Sequence, residues 1–238
     1  MIAVSVVSHG HGAMVQKLVG QILACPEVGH VIVTYNLPEA SFLFFDSRVD
    51  IVINPTPIGF GANHNAAFRR SKEPFWCVIN PDVELLKNPF PILLDALRLD
   101  SVGLVAPVVI NPAGNVEDSI RRFPTLISLA LKLLGYDRSR YKVSAVSPDF
   151  YPDWVAGMFH LYRSEVFAGL NGFDESFFLY YEDVDICSRL WGKGMRILAC
   201  PAVSIVHDAR RDSHRSAKHL LFHLASMARY FLKRWGRI

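Results

Sequence analysis

Three acidic side chains stand together where the sequence predicts the start of a helix. Glu182, Asp183 and Asp185 follow a run of aromatic residues, and apolar residues recur behind them at helical spacing until Gly192. A carboxylate in such a place can act as a general base that takes the proton of an attacking hydroxyl group. Acids in a first turn also complement the helix dipole, and Asp185 forms an i,i+4 pair with Arg189. The local pattern leaves catalysis and helix capping equally open.

A fourth acid follows a predicted buried strand at residues 75–80. Asp82 comes directly after this strand in an Asn-Pro-Asp turn. A carboxylate at the carboxyl end of a parallel strand can ligate a divalent cation, which prefers oxygen ligands. Capping of the turn would place the same residue type there, so both interpretations remain open.

The segment from Gly59 to Phe68 predicts a glycine-rich loop that enters a helix. The free amide groups of a helix N-terminus bind phosphate groups. The dinucleotide fingerprint is incomplete because His64 stands at its third glycine position, and the Walker lysine is missing. Ligand contact and an ordinary tight turn therefore both remain open for this segment.

The elements around these positions alternate between strand and helix patterns. Short apolar strands at residues 2–8, 30–36, 49–54 and 75–80 are separated by helical patterns such as residues 12–23. This order predicts an α/β fold with a mainly parallel sheet that is covered by helices on both faces. Ligands bind beyond the carboxyl ends of the strands in such sheets. We therefore expect a site among the polar residues that follow the strands: Ser8, His9, Asn36, Asn54, Asn80 and Asp82.

Residues 154–162 return to strand character, and a later apolar segment predicts a strand that ends in His207. A glycine inside a strand often marks a place where another group approaches the backbone closely. Gly157 is therefore expected to have such a neighbour.

Composition indicates a globular protein with one large domain. The 238 residues are 51% hydrophobic and 20% charged, which suits a sizeable core. No apolar run is long enough to span a bilayer, and the first residues lack the basic leader of a signal peptide. The scattered cysteines are expected to be buried thiols of a reducing cytoplasm: Cys25, Cys77, Cys187 and Cys200. These features predict a cytoplasmic location.

The net charge of +3 is unevenly distributed along the chain. Residues 208–238 carry eight Lys or Arg against two Asp, which leaves the first 207 residues net acidic. Within residues 208–238, the segment 216–235 predicts an amphipathic helix. Its basic residues flank an apolar stripe of Leu220, Leu221, Leu224, Met227, Ala228, Phe231 and Leu232. Such a helix suits an anionic membrane surface, or it packs on the domain with a solvated basic face. Nucleic-acid binding is not expected, because the positive charge is terminal.

Five segments stand in one order along the chain: IAVSVVSHG, GFGANHNAAF, INPDVEL, WVAGMFHLYRSEVFAGLNGFDESFFLYYEDVDICSRLWGKG and a strand that ends in His207. Over about residues 1–210 they resemble the inverting family 2 glycosyltransferases, and among these the rhamnosyltransferase-like branch that builds bacterial polysaccharides. The resemblance implies the GT-A fold, in which a Rossmann-like, mixed but mainly parallel sheet is flanked by helices. It implies a nucleotide-sugar half at residues 1–110 and an acceptor half at residues 111–210. The basic amphipathic helix of residues 211–238 follows.

The resemblance also implies roles for single residues around the acceptor. Asp183 matches the catalytic base, and Glu182 would support it. Trp154 matches a residue that lines the acceptor site, and Gly157 lies in the same matching segment. The acid pair in the predicted helix start is then catalytic, while Asp185 keeps its structural pairing with Arg189.

A divalent cation, Mg²⁺ or Mn²⁺, is implied at the opposite end of the site. Asp82 matches the last Asp of the family's DxD motif, and His207 matches the residue that completes the metal coordination. Asn80 replaces the first Asp of the motif. The resemblance implies donor binding by Ser8, Asn36, Gly61, Asn65, Asn80 and Asp82. The acid that commonly ends the second strand is missing, since Thr34, Tyr35 and Asn36 stand there, and the nucleobase is left open between dTDP- and UDP-sugars.

The implied function is transfer of a sugar, with rhamnose as one candidate, to a glycan or lipid-linked acceptor with inversion. The donor is a nucleotide diphosphate sugar, and the place of action is the inner face of the cytoplasmic membrane, with peripheral contact through residues 216–238. The alternative is a nucleotide-sugar-binding or scaffold protein of GT-A fold without transfer activity. Loss of Asp82 or Asp183 would favour that alternative, and both residues are present.

Overall fold

One eight-stranded sheet runs through the computed structural model, which describes residues 1–39, 44–137, 139–144, 146–207 and 217–235. The strands are β1 (Ile2–Ser8), β2 (Val28–Tyr35), β3 (Val49–Ile53), β4 (Phe75–Ile79), β5 (Val83–Glu84), β6 (Val102–Ile110), β7 (Ile120–Arg121), β8 (Trp154–Val155), β9 (Phe159–Arg163) and β10 (Arg196–His207). The sheet order is β3-β2-β1-β4-β9-β6-β10-β5, and β7 pairs with β8 in a separate small sheet. Strands β9 and β5 run antiparallel to their neighbours, so the predicted mixed, mainly parallel sheet is confirmed.

Helices cover both faces of this sheet. In the described residues they are α1 (Ala13–Leu23), α2 (Phe60–Phe68), α3 (Phe90–Ala96), α4 (Leu126–Leu133), α5 (Ser164–Gly169), α6 (Glu182–Gly192) and α7 (Ala217–Trp235). Alternate residues of a strand point to opposite faces. Val4 and Val6 accordingly join a core with α1 and α3, whereas Ala3 joins a second core with α2, α5 and α6. The sheet therefore separates two apolar layers.

Three predicted segments differ from the structure. Residues 154–162 form two strands of different sheets, β8 and β9, because the backbone turns aside at Gly157. The predicted glycine-rich loop is itself helix α2, which begins directly after Gly59. The apolar runs at residues 195–200 and 203–206 form one strand, β10, with an irregularity between Cys200 and Ser204.

Several bulk expectations can be compared with the structure directly. All four cysteines are buried free thiols, as expected. The predicted terminal helix is confirmed as α7, while residues 208–216 lie outside the described residues. None of the described helices combines the length and the apolar character that crossing a bilayer requires. The boundary at residue 110 between two halves stays a prediction, since the large sheet takes strands from both sides of it.

The glycines of α2 allow this helix to pack tightly against residues 173–178. A Cβ atom on Gly61 would lie 2.7 Å from Cβ of Phe173, and one on Gly59 would lie 2.9 Å from the carbonyl oxygen of Phe178. Asn65 fastens the contact, because its Oδ1 accepts from the Phe173 N–H at 2.9 Å and its Nδ2 donates to the Phe173 carbonyl at 2.8 Å. The segment that precedes α6 is therefore held by α2.

We expect the Gly61→Ala substitution to destabilise the protein by about 1–3 kcal/mol, because the added methyl group overpacks the contact with Phe173. Gly20→Ala is a matched control, since Gly20 lies in the interior of α1 with open space around its Cα. There the substitution should stabilise by about 0.5–1 kcal/mol through helix propensity. Urea unfolding measures both values, and a Gly61→Ala variant as stable as the wild type would contradict the packing role.

Candidate active site

Asp82 and His207 are brought together by the pairing of β5 with β10. His207 lies opposite Val83 in this antiparallel pair, so the residue before Val83 reaches the histidine. Asp82 Oδ2 lies 3.2 Å from His207 Nε2, and both side chains are largely buried. The predicted proximity of the two residues is confirmed, and it lies at the carboxyl ends of strands β4 and β10.

Glu117 is a third member of this cluster that the sequence did not indicate. It follows β6 after a turn at residues 111–115, and its Oε2 lies 2.8 Å from His207 Nδ1. Burial acts to lower the pKa of His207, but hydrogen bonds and charges from Asp82 and Glu117 outweigh it and raise that pKa. For Asp82, burial acts to raise the pKa, and the contact with His207 outweighs it and lowers the pKa.

The chemistry of this cluster fits a small divalent cation. Asp82 Oδ1 is buried and has no hydrogen-bond partner among the described residues, so one carboxylate oxygen is unused. The second oxygen, Oδ2, lies 3.2 Å from His207 Nε2, so a carboxylate and an imidazole, both common ligands of divalent metals, stand side by side. Within the described ranges, no group of three or more His, Cys, Asp or Glu converges on one point. Such a site resembles those in which one or two protein ligands share Mg²⁺ with substrate phosphates.

Asn36 organises the neighbouring edge of the sheet. Its Oδ1 accepts from the Ile58 N–H at 3.0 Å and from Asn54 Nδ2 at 2.7 Å. Its Nδ2 donates to the Ile58 carbonyl at 2.9 Å and to His9 Nε2 at 2.7 Å. With every hydrogen-bonding position used and 1% of its surface exposed, Asn36 fixes the ends of β1, β2 and β3 relative to each other.

The turn between β1 and α1 holds a carboxylate. Glu39 accepts from the N–H groups of Gly10 at 2.9 Å and Gly12 at 3.2 Å, and it interacts with the Ser8 hydroxyl. Burial acts to raise the pKa of Glu39, but these hydrogen bonds outweigh it and lower the pKa. The acid that is missing at the end of β2 is thus supplied a few residues later, at a position the sequence did not indicate.

Gly61 and Asn65, which were predicted to bind the donor, make packing contacts in this structure. Gly61 approaches Phe173, and Asn65 bonds to the backbone of Phe173 and to Glu175 at 3.0 Å. Asn65 is 6% exposed. Donor contact by these two residues stays a prediction, and their described role is to hold the segment before α6.

Two consecutive residues link the Asp82 region to the acidic helix start. The Met158 carbonyl accepts from the Asn80 N–H at 2.9 Å, and the Gly157 N–H donates to Asp183 Oδ2 at 3.2 Å. A Cβ on Gly157 would lie 3.4 Å from the ring of Phe60. A Cβ would therefore make only ordinary contacts here, and the predicted close approach to the Gly157 backbone is not confirmed; the polar partner of its N–H is Asp183.

The carboxyl groups of Glu182 and Asp183 are withdrawn from water at the start of α6. Asp183 is partly exposed and accepts from the Val184 N–H at 2.8 Å, while Glu182 is 5% exposed and its buried Oε2 has no partner among the described residues. Burial raises the pKa of both groups, and the charge of Asp183 raises the pKa of Glu182 further. Hydrogen bonds from the backbone of Val184 and Gly157 limit the rise for Asp183. The result is a proton acceptor stronger than an ordinary aspartate.

Two strained residues precede this acid pair. Tyr180 and Tyr181 have φ angles of 69° and 66°, in the left-handed region that costs a non-glycine residue about 1–3 kcal/mol. Helix α7 holds them there. The Ser226 hydroxyl donates to the Leu179 carbonyl at 2.8 Å, and the Tyr230 ring packs on Tyr181 with centroids 5.6 Å apart. The backbone that presents Asp183 therefore depends on the C-terminal helix.

Lys233 of α7 adds an ionic contact to the same region. Its Nζ lies 2.5 Å from Asp174 Oδ2 and 2.6 Å from Asp185 Oδ1. Asp185 also meets Arg189 Nε at 2.6 Å, which confirms the predicted i,i+4 pair. The alternative of a solvated basic face does not hold at Lys233, whereas Arg229 is exposed and bonds to the Ser176 carbonyl.

A cavity of about 210 Å³ opens above the acid pair. Trp154 and Arg121 stand side by side at its wall because β7 and β8 pair these two residues. Asp183 and Trp154, which were predicted to act on the same substrate, are thus brought to one cavity. Its lining includes residues of five elements that are distant in sequence, namely β7, α4, β8, α6 with its N-cap, and α7: Arg121, Lys132, Trp154, Tyr181, Asp183 and His223. Arg121 and His223 were not indicated by the sequence pattern.

We expect the Glu182→Gln variant to lose less stability than the wild type as pH rises. The unfolded chain releases the Glu182 proton near pH 4.3, whereas the folded protein retains it to higher pH, so stability falls above this value. At neutral pH the variant should be more stable than the wild type, because the amide does not have to retain or release this proton. Unfolding measured from pH 4 to 8 gives the slopes, and parallel slopes would contradict the raised pKa.

Removal of the Lys233 ammonium should destabilise the fold. In the Lys233→Met variant, the largely buried Asp185 loses one of its two cationic partners, and we expect a loss of about 1–3 kcal/mol. Lys233→Arg should retain most of the stability. As a control, Lys17→Met breaks an exposed pair with Glu84 and should change stability by less than about 1 kcal/mol. Equal losses of unfolding free energy in the two methionine variants would contradict a stabilising role for the contact of Lys233 with Asp185.

Comparison with known proteins agrees with the geometry of the site. No family model matches the chain. Rhamnosyltransferase WbbL of Escherichia coli is 28% identical over 250 residues, which cover 98% of this chain and 94% of that protein. An N-acetylglucosaminyl-diphospho-decaprenol L-rhamnosyltransferase of Mycobacterium tuberculosis is 32% identical over 159 residues, or 62% of this chain and 52% of that protein.

The fold has a counterpart among solved structures. GalNAc-T7 with UDP, GalNAc and Mn²⁺ superposes with a TM-score of 0.69 at 14% identity, and the match covers 89% of this chain and 44% of that one. At this identity the likeness concerns the fold, and it confirms the predicted GT-A architecture. Together with the acid pair, the Asp82–His207 contact and the cavity, these similarities lead to one conclusion. The chain is similar in sequence to rhamnosyltransferases and has the GT-A fold of glycosyltransferases.

Proposed function

We propose that the protein transfers a sugar from a nucleotide diphosphate donor to a hydroxyl group of a glycan or lipid-linked acceptor, with inversion at the anomeric carbon. The observation that carries the proposal is the carboxylate of Asp183. It is withdrawn from water, oriented by the N–H groups of Gly157 and Val184, and open to a cavity beside Trp154. An acceptor sugar packs well against an indole ring, so the cavity suits the acceptor.

The residues of the cavity support a single-displacement reaction. Asp183 takes the proton of the acceptor hydroxyl while the acceptor oxygen forms its bond to the anomeric carbon. The bond from that carbon to the diphosphate oxygen breaks on the opposite face. One carboxylate is sufficient for this transfer, unlike the acid and base pair of a hydrolase. Glu182 has its pKa raised well above the usual value, which favours a neutral neighbour that leaves the negative charge on Asp183.

Asp82 and His207 would hold Mg²⁺ or Mn²⁺, and a cation bound there would neutralise charge on the leaving diphosphate. The unused Oδ1 of Asp82 and the 3.2 Å between the two side chains support this assignment. The similar GalNAc-T7 structure contains UDP and Mn²⁺. The donor, a dTDP- or UDP-sugar, would lie along the strand ends, with Ser8, Asn36 and Asn80 on its protein side and Gly61 and Asn65 behind them. Glu39 provides a carboxylate at this edge.

Rhamnose is the proposed sugar because both relatives are named as rhamnosyltransferases. The name of the mycobacterial relative specifies an acceptor built on diphospho-decaprenol, which supports a lipid-linked acceptor for this chain. The proposed place of action is the inner face of the cytoplasmic membrane, with peripheral contact through α7. A scaffold role without transfer is not favoured, since base, acceptor cavity and cation ligands are all present.

The Asp183→Asn variant should lose transfer activity by about 10²–10⁴-fold, because the amide cannot accept the proton. Its thermal stabilisation by the donor should match that of the wild type. Asp95→Asn, at an exposed acid of α3 that does not line the cavity, is the control: activity per folded molecule should persist. Product formation and thermal shifts with dTDP-, UDP- and GDP-sugars, each with and without Mn²⁺, provide the measurements.

Three outcomes would each contradict a different part of the proposal. Turnover that persists in Asp183→Asn would exclude this residue as the base. If no nucleotide sugar stabilised the protein with or without Mn²⁺, the donor assignment and the cation site would both fail. A stabilisation that was equal with and without Mn²⁺ would contradict the cation site alone.

A further inference from the structure

Helix α4 is apolar but buries none of its residues. Leu126 and Ile127 are 55% and 74% exposed, and Leu133 and the adjoining Leu134 are 90% and 72% exposed. Monomeric soluble proteins rarely expose contiguous apolar patches, because burial of each leucine would contribute about 1.5–3 kcal/mol. A helix of this composition on the surface therefore indicates an apolar surrounding in the working state of the protein.

Helix α7 presents a second exposed apolar face. Its inner face is docked through Ser226 and Tyr230, which are 6% and 2% exposed. The predicted apolar stripe lies mainly on the outer face, where its leucines are 45–70% exposed: Leu220, Leu221, Leu224 and Leu232. Their spacing of about four residues places them along one side of the helix. The stripe was expected to face either a membrane or the domain. The domain contacts mainly the face that carries Ser226 and Tyr230, and the leucines of the stripe remain exposed.

Both helices border the cavity that contains Asp183. Ser128, Leu129 and Lys132 of α4 line it, and so does His223 of α7, which directly precedes the exposed Leu224. Lys132 and His223 both line the cavity, so the two helices meet there. We call the exposed apolar side chains of these two helices and the adjoining Leu134 the leucine rim: Leu126, Ile127, Leu133, Leu134, Leu220, Leu221, Leu224 and Leu232.

The segments that carry the leucine rim are also the basic parts of the chain. Residues 119–145 contain six Lys or Arg and one Asp, and residues 208–238 contain eight Lys or Arg and two Asp. The rest of the chain has 11 basic and 19 acidic residues. Lys132 and Arg140 are 52% and 61% exposed. Apolar side chains next to cations match a bilayer with anionic headgroups, whereas a second copy of this face would bring like charges together.

We propose that the leucine rim seats on an anionic phospholipid bilayer, with the mouth of the Asp183 cavity at the membrane surface. The inference rests on the proposed function and extends its membrane contact from α7 to α4. The cavity of about 210 Å³ is smaller than the roughly 300–1,000 Å³ of sites for drug-sized ligands. It has room for the sugar end of an acceptor, while the lipid chain of that acceptor stays in the bilayer beside α4 and α7.

The test is sedimentation of the full chain with vesicles of phosphatidylcholine, with and without phosphatidylglycerol. The wild type should bind the anionic vesicles more strongly, and increasing salt should weaken the binding. The double variant Leu133→Glu, Leu134→Glu should bind about tenfold less or weaker still, because it removes apolar contacts and adds negative charge. Leu86→Glu, Leu99→Glu is the matched control, since these leucines are 57% and 50% exposed outside the rim, and its binding should equal that of the wild type.

Further measurements separate this proposal from the proposed function. The double variant should melt like the wild type, keep its thermal shift with the donor, and transfer sugar normally to a short, water-soluble acceptor. The proposal that the leucine rim binds the membrane would be overturned by either of two results. One is wild-type binding that does not depend on anionic lipid, and the other is equal binding of the rim and control variants. A wild-type dimer in sedimentation velocity that the rim variant dissociates would assign the face to a second copy. If the wild type did not transfer sugar to the water-soluble acceptor, the proposed function would be refuted instead.

Discussion

Two neighbouring carboxyl groups, Glu182 and Asp183, are held out of water at the first turn of a helix. Such a pair is unfavourable when both members are ionised, because each loses hydration and they repel one another. The surrounding structure limits this penalty for Asp183 alone, through the N–H groups of Gly157 and Val184. Glu182 has an unpartnered oxygen and is favoured in its neutral form. The site thus distinguishes two chemically similar side chains by their backbone contacts.

The residues around Glu182 and Asp183 hold the backbone of this pair in place. The left-handed conformation of Tyr180 and Tyr181 is unfavourable for an isolated peptide, and α2 and α7 hold the adjoining segment from two sides. The Gly157 N–H donates to Asp183, and the carbonyl of the next residue, Met158, accepts from the Asn80 N–H. Asp183 and the strand end next to Asp82 therefore share a single stretch of backbone. Such a stretch keeps their separation nearly constant, which the proposed in-line displacement would require.

Much of the fold could be predicted from periodicity and from the order of motifs. The strands β1 to β4 and the start of α6 follow from residue patterns, and the meeting of Asp82 with His207 follows from the family resemblance. Other features depend on contacts between distant segments. Gly61 packs against Phe173, Glu39 returns to the turn at Gly10, and neither approach is visible in a linear pattern. The sequence pattern also could not show that α7 packs on the domain with one face and exposes apolar residues on another. Apolar spacing alone does not identify the surface that a helix face contacts.

The ionic contact of Lys233 with Asp174 and Asp185 has a consequence for biosynthesis. The segment from Asp174 to Asp185 carries the proposed base, yet its ionic and aromatic partners lie about fifty residues later in the chain, on α7. During translation this segment is synthesised before α7. The nascent chain therefore passes through a stage in which Tyr180 and Tyr181 lack the contacts that hold their left-handed conformation. The proposed base is presented only once α7 packs over the tyrosines.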